Sequence, residues 1–166
     1  MARLDQAHGV RDMTDLLHYE DFLAGQVFDL GTHILSTQEI VDFASEFDPQ
    51  PQHLDPNAAK DILGGLAASG WHLCALAMRM LVDRLFIRAT SLGAPGVEEV
   101  QWRRPVRAGD SLRLEGEVLE TRLSSKPDRG FVRFRFNMWR ANAGTDRERV
   151  MFFSCSVMFG RRKESV

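Results

Sequence analysis

Apolar side chains early in the chain recur at the spacing of a helix. Between positions 37 and 47 they form one stripe, which consists of Ile40, Phe43, Ala44 and Phe47. Residues three or four apart share a helix face, and Ser36 with Glu39 fits a capping box, so we predict a helix over 37–47. Before it, residues 26–35 are predicted as a strand that is interrupted or bulged near Gly31.

Two further helices are predicted downstream. Asp55 followed by Pro56 is a typical helix start, and the short helix should end at the two glycines that follow Leu63. A long helix is then expected from Ser69 or Gly70 to Phe86. Its apolar side chains lie on almost every face, so we predict that it is enclosed on most sides by a soluble domain and does not span a membrane.

From Gly96 onward the pattern alternates with the period of a strand. Four strands are predicted, over residues 97–102, 111–121, 131–140 and 150–159. Turns are expected at three places, namely Arg107–Asp110, Lys126–Gly130 and Asn142–Gly144. Short connections favour an antiparallel sheet, and a single sheet curled around one apolar helix would bury both elements.

Composition limits the function classes. The chain has 166 residues and a net charge of −2, which suits one globular domain and gives no field that would attract nucleic acid or an anionic membrane. Cys74 and Cys155 lie in apolar stretches without a CxxC pair, so buried thiols are expected rather than a zinc site.

The two ends of the chain are expected to lie outside the folded domain. Residues 1–18 mix charged and small side chains and lack the apolar core of a signal peptide, which favours a loosely ordered segment and a cytoplasmic protein. We place the domain at residues 19–162 and a C-terminal tail at 163–166.

The densest polar cluster in an apolar neighbourhood spans Asp48 to His53. It holds one carboxylate and one imidazole, with Pro49 and Pro51 between them. Each proline keeps the preceding residue out of the αR region, so Asp48 and Gln50 should be extended or in a turn and the loop should be stiff. Positioned groups of this kind perform general acid–base chemistry. From the spacing alone, a turn aspartate and a packed core histidine remain the more common roles.

Three segments resemble the MaoC-like hydratase/dehydratase family, which includes (R)-specific enoyl-CoA hydratases. Residues 48–53, Asp-Pro-Gln-Pro-Gln-His, resemble its Asp-x-Asn-Pro-x-His signature. The glycine-rich run at 64–71 and the Trp-Arg-Arg-Pro-Val-Arg-Ala-Gly-Asp segment at 102–110 are similar to the family in the same order. The resemblance extends over residues 19–162.

The signature is matched with departures. Gln50 stands in place of its asparagine, Gln52 in place of an apolar residue, and Phe47 in place of a glycine. The longer amide of Gln50 keeps the same hydrogen-bonding groups and changes their reach. These differences leave the choice of substrate open.

The resemblance implies an α+β hot-dog fold, in which a curved antiparallel sheet wraps around one long helix. It also implies that Asp48 and His53 jointly activate a water for addition to a trans-2-enoyl thioester, and that they run the reverse elimination. The backbone N–H of Gly70 matches the family's oxyanion position, where a helix N-terminus favours negative charge. Gly70 also fits two structural roles, namely helix start or close packing against the sheet.

The remaining assignments follow from the same resemblance. No metal and no cofactor are expected, and coenzyme A enters only as part of the substrate. Substrate-binding roles are assigned to Gln50, Ser69, Trp71, Arg103 and Arg104, of which the two arginines suit the phosphates of a coenzyme A arm. Solvated surface arginines are the ordinary alternative.

Three functions stay open on the sequence. The first is hydration or dehydration of an acyl-CoA or an acyl-carrier thioester. The second is a thioesterase, which commonly uses a carboxylate on the long helix, where no Asp or Glu precedes Asp83. The third is a non-catalytic subunit that binds acyl thioesters. We expect at least a homodimer, because a lone protomer would leave part of its sheet uncovered.

Overall fold

The structure is a computed structural model that describes residues 16–141 and 147–163. Most of the predicted N-terminal segment, the predicted turn at Asn142–Gly144 and the last three residues of the tail lie outside the described residues. The described part begins with an anchored segment. Leu17 forms an isolated parallel bridge with Ala89, and its N–H donates to the carbonyl of Arg88 at 2.8 Å.

The α-helices of the described part are Thr37–Phe47 (α1), Pro51–Leu54 (α2), Pro56–Leu63 (α3) and Gly70–Arg84 (α4). Helix α1 begins with the predicted capping box, in which the Ser36 hydroxyl accepts from the Glu39 N–H and the Glu39 carboxylate accepts from the Ser36 N–H. Helix α3 begins at the predicted Asp55 cap and ends at Gly64, whose φ of 73° suits a residue without a side chain. Helix α4 ends two residues earlier than predicted, and a 3₁₀ turn follows at Phe86–Arg88.

The strands are Val27–Ile34 (β1), Ser91–Gly93 (β2), Val97–Trp102 (β3), Ser111–Leu123 (β4), Arg129–Ala141 (β5) and Arg147–Gly160 (β6). They form one sheet in the order β1-β4-β5-β6-β2, with β3 also paired to β6, and each pairing is antiparallel. The sequence did not predict β2, because three residues are too short to show alternation. The expected irregularity in β1 is confirmed as a register shift between Asp29 and Thr32, with φ of 93° at Gly31.

Helix α4 packs against one face of this sheet and forms the core with it. Its buried side chains Leu73, Ala77 and Leu81 belong to one apolar cluster with inward residues of β5 such as Phe134 and Phe136. Alternation along the strands explains this, since every second residue of β5 points toward the helix. The predicted hot-dog fold is thereby confirmed.

The prediction that α4 is enclosed on most sides is wrong for the single chain. Trp71 is 62% exposed, Met78 49% and Val82 38%, and these residues fall on one stripe of the helix. The sheet covers only the opposite side of α4, so this apolar stripe lies open. Within residues 16–141 and 147–163, no helix is both long and apolar enough to cross a bilayer.

Candidate functional site

Asp48 is placed by the end of helix α1. Its N–H donates to the carbonyl of Ala44 at 3.0 Å, and its φ of −149° and ψ of 67° turn the chain out of the helix. Pro49 follows directly and excludes a further helical turn. The carboxylate therefore projects from the point where α1 stops.

His53 lies on a one-turn helix that the sequence did not predict. Residues 51–54 form α2, so the expected stiff loop is in fact a turn followed by helix. Pro51 occupies the first helical position, where its fixed φ suits helix and its missing N–H costs nothing. Gln50 is extended, with φ −85° and ψ 142°, as predicted. The rigidity expected from the prolines is therefore supplied by a helical turn, and His53 is 8% exposed.

The imidazole of His53 is held in one tautomer. Its Nδ1 lies 2.7 Å from the carbonyl oxygen of Ala67, which can only accept, so Nδ1 carries the proton in the neutral ring. The other nitrogen, Nε2, lies 3.6 Å from Oδ2 of Asp48. That distance is too long for a direct hydrogen bond, and a water that bridges the two atoms, at about 2.8 Å from each, would lie to one side of the pair.

Asp48 is kept ionised by its neighbours. Hydrogen bonding by the Ser69 hydroxyl lowers the pKa of Asp48 most, and the amide of Gln50, at 2.6 Å from Oδ1, lowers it further. Burial acts in the opposite direction and is outweighed, while a charge on His53 would add to the lowering. At neutral pH the site therefore presents a carboxylate to its imidazole partner.

The start of helix α4 faces the same space. Ser69 is the N-cap, and its hydroxyl accepts from the N–H of Trp71 at 3.2 Å. Gly70 is the first helical residue, so its N–H has no partner within the helix. A Cβ on Gly70 would lie 2.5 Å from the ring of Trp102, whose Nε1 donates to the Gly70 carbonyl at 2.9 Å. Close packing against Trp102 therefore explains why position 70 is a glycine. The oxyanion role of its N–H stays a prediction.

One pocket of about 400 Å³ joins these elements. Its lining includes every site residue predicted from the sequence, namely Asp48, Gln50, His53, Ser69, Gly70, Trp71, Arg103 and Arg104. Trp102 and Leu63 also line it and were not predicted as site residues. Trp102 stood in the segment that resembles the family, and its contact with Gly70 joins positions 32 residues apart in the chain, which no local pattern shows.

The two predicted arginines differ in their surroundings. The Arg104 guanidinium donates to Glu148 at 2.8 Å, so its charge is already paired. Arg103 donates to the side-chain oxygen of Gln101 at 2.7 Å and lies over the ring of Phe152. Arg103 is therefore the better donor for an anionic ligand at this pocket.

His72 lies near the site and belongs to the packing. Its ring stacks on Phe43 of α1 with centroids 4.7 Å apart, and burial lowers the pKa of the imidazole. It is not part of the pocket lining. Among the described residues, no three His, Cys, Asp or Glu side chains come together as metal ligands would.

The sequence model of the MaoC-like domain matches residues 22–133. The chain belongs to this family. A MaoC-like dehydratase from Rhodospirillum rubrum has a crystal structure that is 39% identical, with a TM-score of 0.80, covering 89% of this chain and 99% of that one. An uncharacterized protein of Bacillus subtilis is 30% identical over 102 residues, which are 61% of this chain and 72% of the relative.

Known hydratases share the fold at lower identity. An (R)-hydratase from Pseudomonas aeruginosa is 23% identical with a TM-score of 0.67, covering 91% of this MaoC-like chain and 94% of its own. The (R)-hydratase from A. caviae involved in PHA biosynthesis is 19% identical with a TM-score of 0.64, covering 83% and 97%. These likenesses support the fold of the MaoC-like chain.

Adding a methyl group at Gly70 tests the packing at the start of α4. Gly70→Ala should lower the free energy of unfolding by about 1–3 kcal/mol, because the Trp102 ring leaves no room for a Cβ. In a Trp102→Ala background the same change should cost less than about 0.5 kcal/mol. Gly96→Ala is the matched control, since nothing lies within 4 Å of its added Cβ. Urea unfolding of all the variants measures the coupling, and equal costs in both backgrounds would contradict it.

Removing the Ser69 hydroxyl tests the electrostatics of Asp48. Ser69→Ala should raise the pKa of Asp48 toward the ordinary aspartate value, because the largest lowering interaction is lost. Carboxyl ¹³C NMR titration measures this directly. Ser36→Ala is the control: it should raise the pKa of Glu39, whose own lowering comes first from the Ser36 hydroxyl, and leave that of Asp48 in place. An unchanged Asp48 pKa in Ser69→Ala would refute the assignment.

Proposed function

We propose that this protein is a hydro-lyase that adds water to a 2-enoyl thioester, or removes it from a 3-hydroxyacyl thioester, with Asp48 and His53 as its acid–base pair. The observation that carries the proposal is the geometry of this pair. An ionised carboxylate and the unprotonated nitrogen of a fixed imidazole face one another 3.6 Å apart in a pocket. Membership of the MaoC-like family supports the reaction class.

The chemistry follows from the protonation states. A water between Asp48 and His53 donates one hydrogen bond to the carboxylate and one to Nε2. As its oxygen attacks C3 of the enoyl group, Nε2 accepts a proton and negative charge moves to the thioester oxygen. The N–H of Gly70 is free to stabilise that charge, and the proton then passes from the pair to C2. Elimination runs the same steps in reverse, and no step requires a metal or a cofactor.

The pocket walls suit such a substrate. Apolar groups of Leu63, Leu73 and Trp102 surround the polar pair, so an acyl chain and a polar thioester find matching surfaces. Gln50 touches the Asp48 carboxylate directly and acts on the pair rather than on a distant part of the ligand.

Replacing the pair tests the proposal. Asp48→Asn and His53→Ala should each lower kcat/KM for hydration of an enoyl-CoA by roughly 10²–10⁴-fold, the usual span for acid–base groups. Loss of the ultraviolet absorbance of the conjugated thioester follows the reaction. Asp61→Asn, an exposed carboxylate outside the pocket, is the control and should keep full activity.

Three outcomes would contradict the proposed mechanism or function. Full activity in both pair variants would remove Asp48 and His53 from the mechanism. Release of free thiol from an acyl-CoA would indicate a thioesterase, although the only acidic residue of α4, Asp83, pairs with Arg79 at 2.7 Å near the far end of the helix. Binding of enoyl thioesters without turnover would indicate a non-catalytic subunit.

We also infer that the protein is at least a homodimer. Between α4 and β3 lies an apolar groove of about 440 Å³, lined by Met78 and Val97 among others, and both side chains are about half exposed or more. Strand β3 pairs with β6 only, within the described residues, so one of its edges is open. A second copy would cover the groove and the edge together.

Light scattering tests the assembly. The natural protein at micromolar concentration should have at least twice the mass of one chain, and Met78→Glu should shift it toward one chain by placing a charge in the groove. Leu123→Glu, at another exposed apolar residue on β4, is the matched control and should keep the mass of the natural protein. A monomeric natural protein would contradict the inference.

A further inference from the structure

Two cavities of the protein meet at Trp71. The pocket that holds Asp48 and His53 lies at the start of α4, and the apolar groove of about 440 Å³ lies farther along the same helix. Trp71 lines both cavities, and no other described residue is common to the two linings. What separates the cavities therefore determines whether a ligand in the pocket can extend into the groove.

The groove continues the line of the pocket along two elements. On α4, Trp71, Cys74 and Met78 are three and four residues apart, so they lie on one face of the helix. On β3, Val100 lines the groove and Trp102 lines the pocket, and they share one face of the strand because they are two residues apart. Trp71 and Trp102 therefore lie where the groove would otherwise open into the pocket.

The indole rings of Trp71 and Trp102 form a barrier at this point, which we call the tryptophan wall. Their centroids are 5.2 Å apart and their planes are inclined by 73°, which is an edge-to-face contact. Trp102 is fixed, since its Nε1 donates to the Gly70 carbonyl at 2.9 Å and its ring fills the space that a Cβ on Gly70 would take. Trp71 packs on this fixed ring, so the wall is held at the start of α4.

The inner side of the pocket is closed by packed side chains. Ala67, Ala68 and Leu73 line it and are at most 7% exposed, and Ala68 and Leu73 belong to the apolar core. Because such a core is close-packed, these residues leave an acyl group no way inward. A long acyl chain that avoids water would have to enter the groove, and the tryptophan wall blocks that route.

We propose that Trp71 restricts the pocket to thioesters with a short acyl group, because it keeps the acyl chain out of the groove. This proposal rests on the proposed function for the identity of the thioester. Each CH₂ group buried in an apolar groove raises affinity by about fourfold, whereas a CH₂ group left in water adds nothing. Trp71 is therefore a specificity-determining residue, and it acts by excluding longer chains.

Turnover across acyl lengths tests the proposal. The kcat/KM of the natural protein should be at least about tenfold lower for a ten-carbon than for a four-carbon trans-2-enoyl-CoA, because the longer chain meets the wall. Trp71→Ala opens the wall, so its ratio of ten-carbon to four-carbon kcat/KM should rise by at least about tenfold. Trp139→Ala is the matched control and should leave the ratio unchanged, since Trp139 lies under Arg147 on β5 and lines neither cavity.

Further variants show whether the groove is the route. Trp71→Phe, with a smaller ring, should give a ratio between those of the natural protein and Trp71→Ala. Val100→Phe narrows the groove and lies outside the pocket lining, so in the Trp71→Ala background it should return the ratio toward the natural value. Thermal unfolding confirms that each variant folds, and light scattering confirms that each keeps the natural mass.

Three results would overturn the proposal. The first is equal kcat/KM of the natural protein for the two substrates. The second is an unchanged ratio in Trp71→Ala. The third is the same rise in Trp139→Ala, which would show that the loss of any tryptophan has this effect.

A binding measurement separates this proposal from the hydratase function. Saturated acyl-CoAs, which cannot add water, are titrated into the protein by calorimetry. From butanoyl-CoA to decanoyl-CoA the affinity should not increase in the natural protein and should increase by at least about tenfold in Trp71→Ala. If this pattern appears and no enoyl-CoA is turned over, the hydratase function is wrong and the role of Trp71 stands. If enoyl-CoAs of both lengths are turned over equally, the hydratase function stands and the role of Trp71 is wrong.

Discussion

The segment from Ala67 to Gly70, which leads into α4 and is buried at its first three residues, is the constraint on which the rest of the site depends. Each of its four residues holds a different part of the chain. The Ala67 carbonyl accepts from His53, and the Ala68 N–H donates to the Val106 carbonyl at 2.8 Å. The Ser69 hydroxyl lowers the pKa of Asp48, and the Gly70 carbonyl accepts from Trp102. Because α4 is anchored in the core, these contacts fix the end of α1, the short helix α2 and the start of α4 relative to one another. The Asp48 carboxylate, the His53 imidazole and the N–H of Gly70 are therefore held in fixed positions relative to one another.

The same contacts affect the protonation of Asp48 and of His53 in different ways. Ser69 and Gln50 stabilise the charged form of Asp48, whereas the Ala67 carbonyl fixes only the tautomer of His53. A carboxylate beside an imidazole whose Nε2 carries no proton provides two hydrogen-bond acceptors for a single water. Gln52 donates to Gln50 at 2.9 Å, so the two glutamines that depart from the family signature support the Asp48 carboxylate rather than disturb it.

The sequence was sufficient for elements with a repeated pattern and for groups close together in the chain. Helix α1, the caps of α3 and the long strands follow from periodicity and local hydrogen bonding, and the pairing of Asp48 with His53 follows from their short separation. Contacts between residues far apart in the chain could not be predicted from the sequence. Nothing local indicates that Ala67 would anchor His53 or that Trp102 would cover Gly70. The one-turn helix α2 was missed because four residues beginning with proline read equally well as a loop.

Alternation along one short strand links the two faces of the sheet. Trp102 ends β3 pointing inward, where its ring seals the start of α4, and Arg103 follows it toward the outer face, where its guanidinium lies over Phe152. Both residues line the mouth of the same pocket. The backbone of Arg103 is fixed as well, since its N–H donates to the Val150 carbonyl at 2.7 Å. A shift of one residue in this register would exchange the faces of the two side chains, so the pairing of β3 with β6 determines both the packing of Trp102 on Gly70 and the position of the Arg103 charge at the pocket.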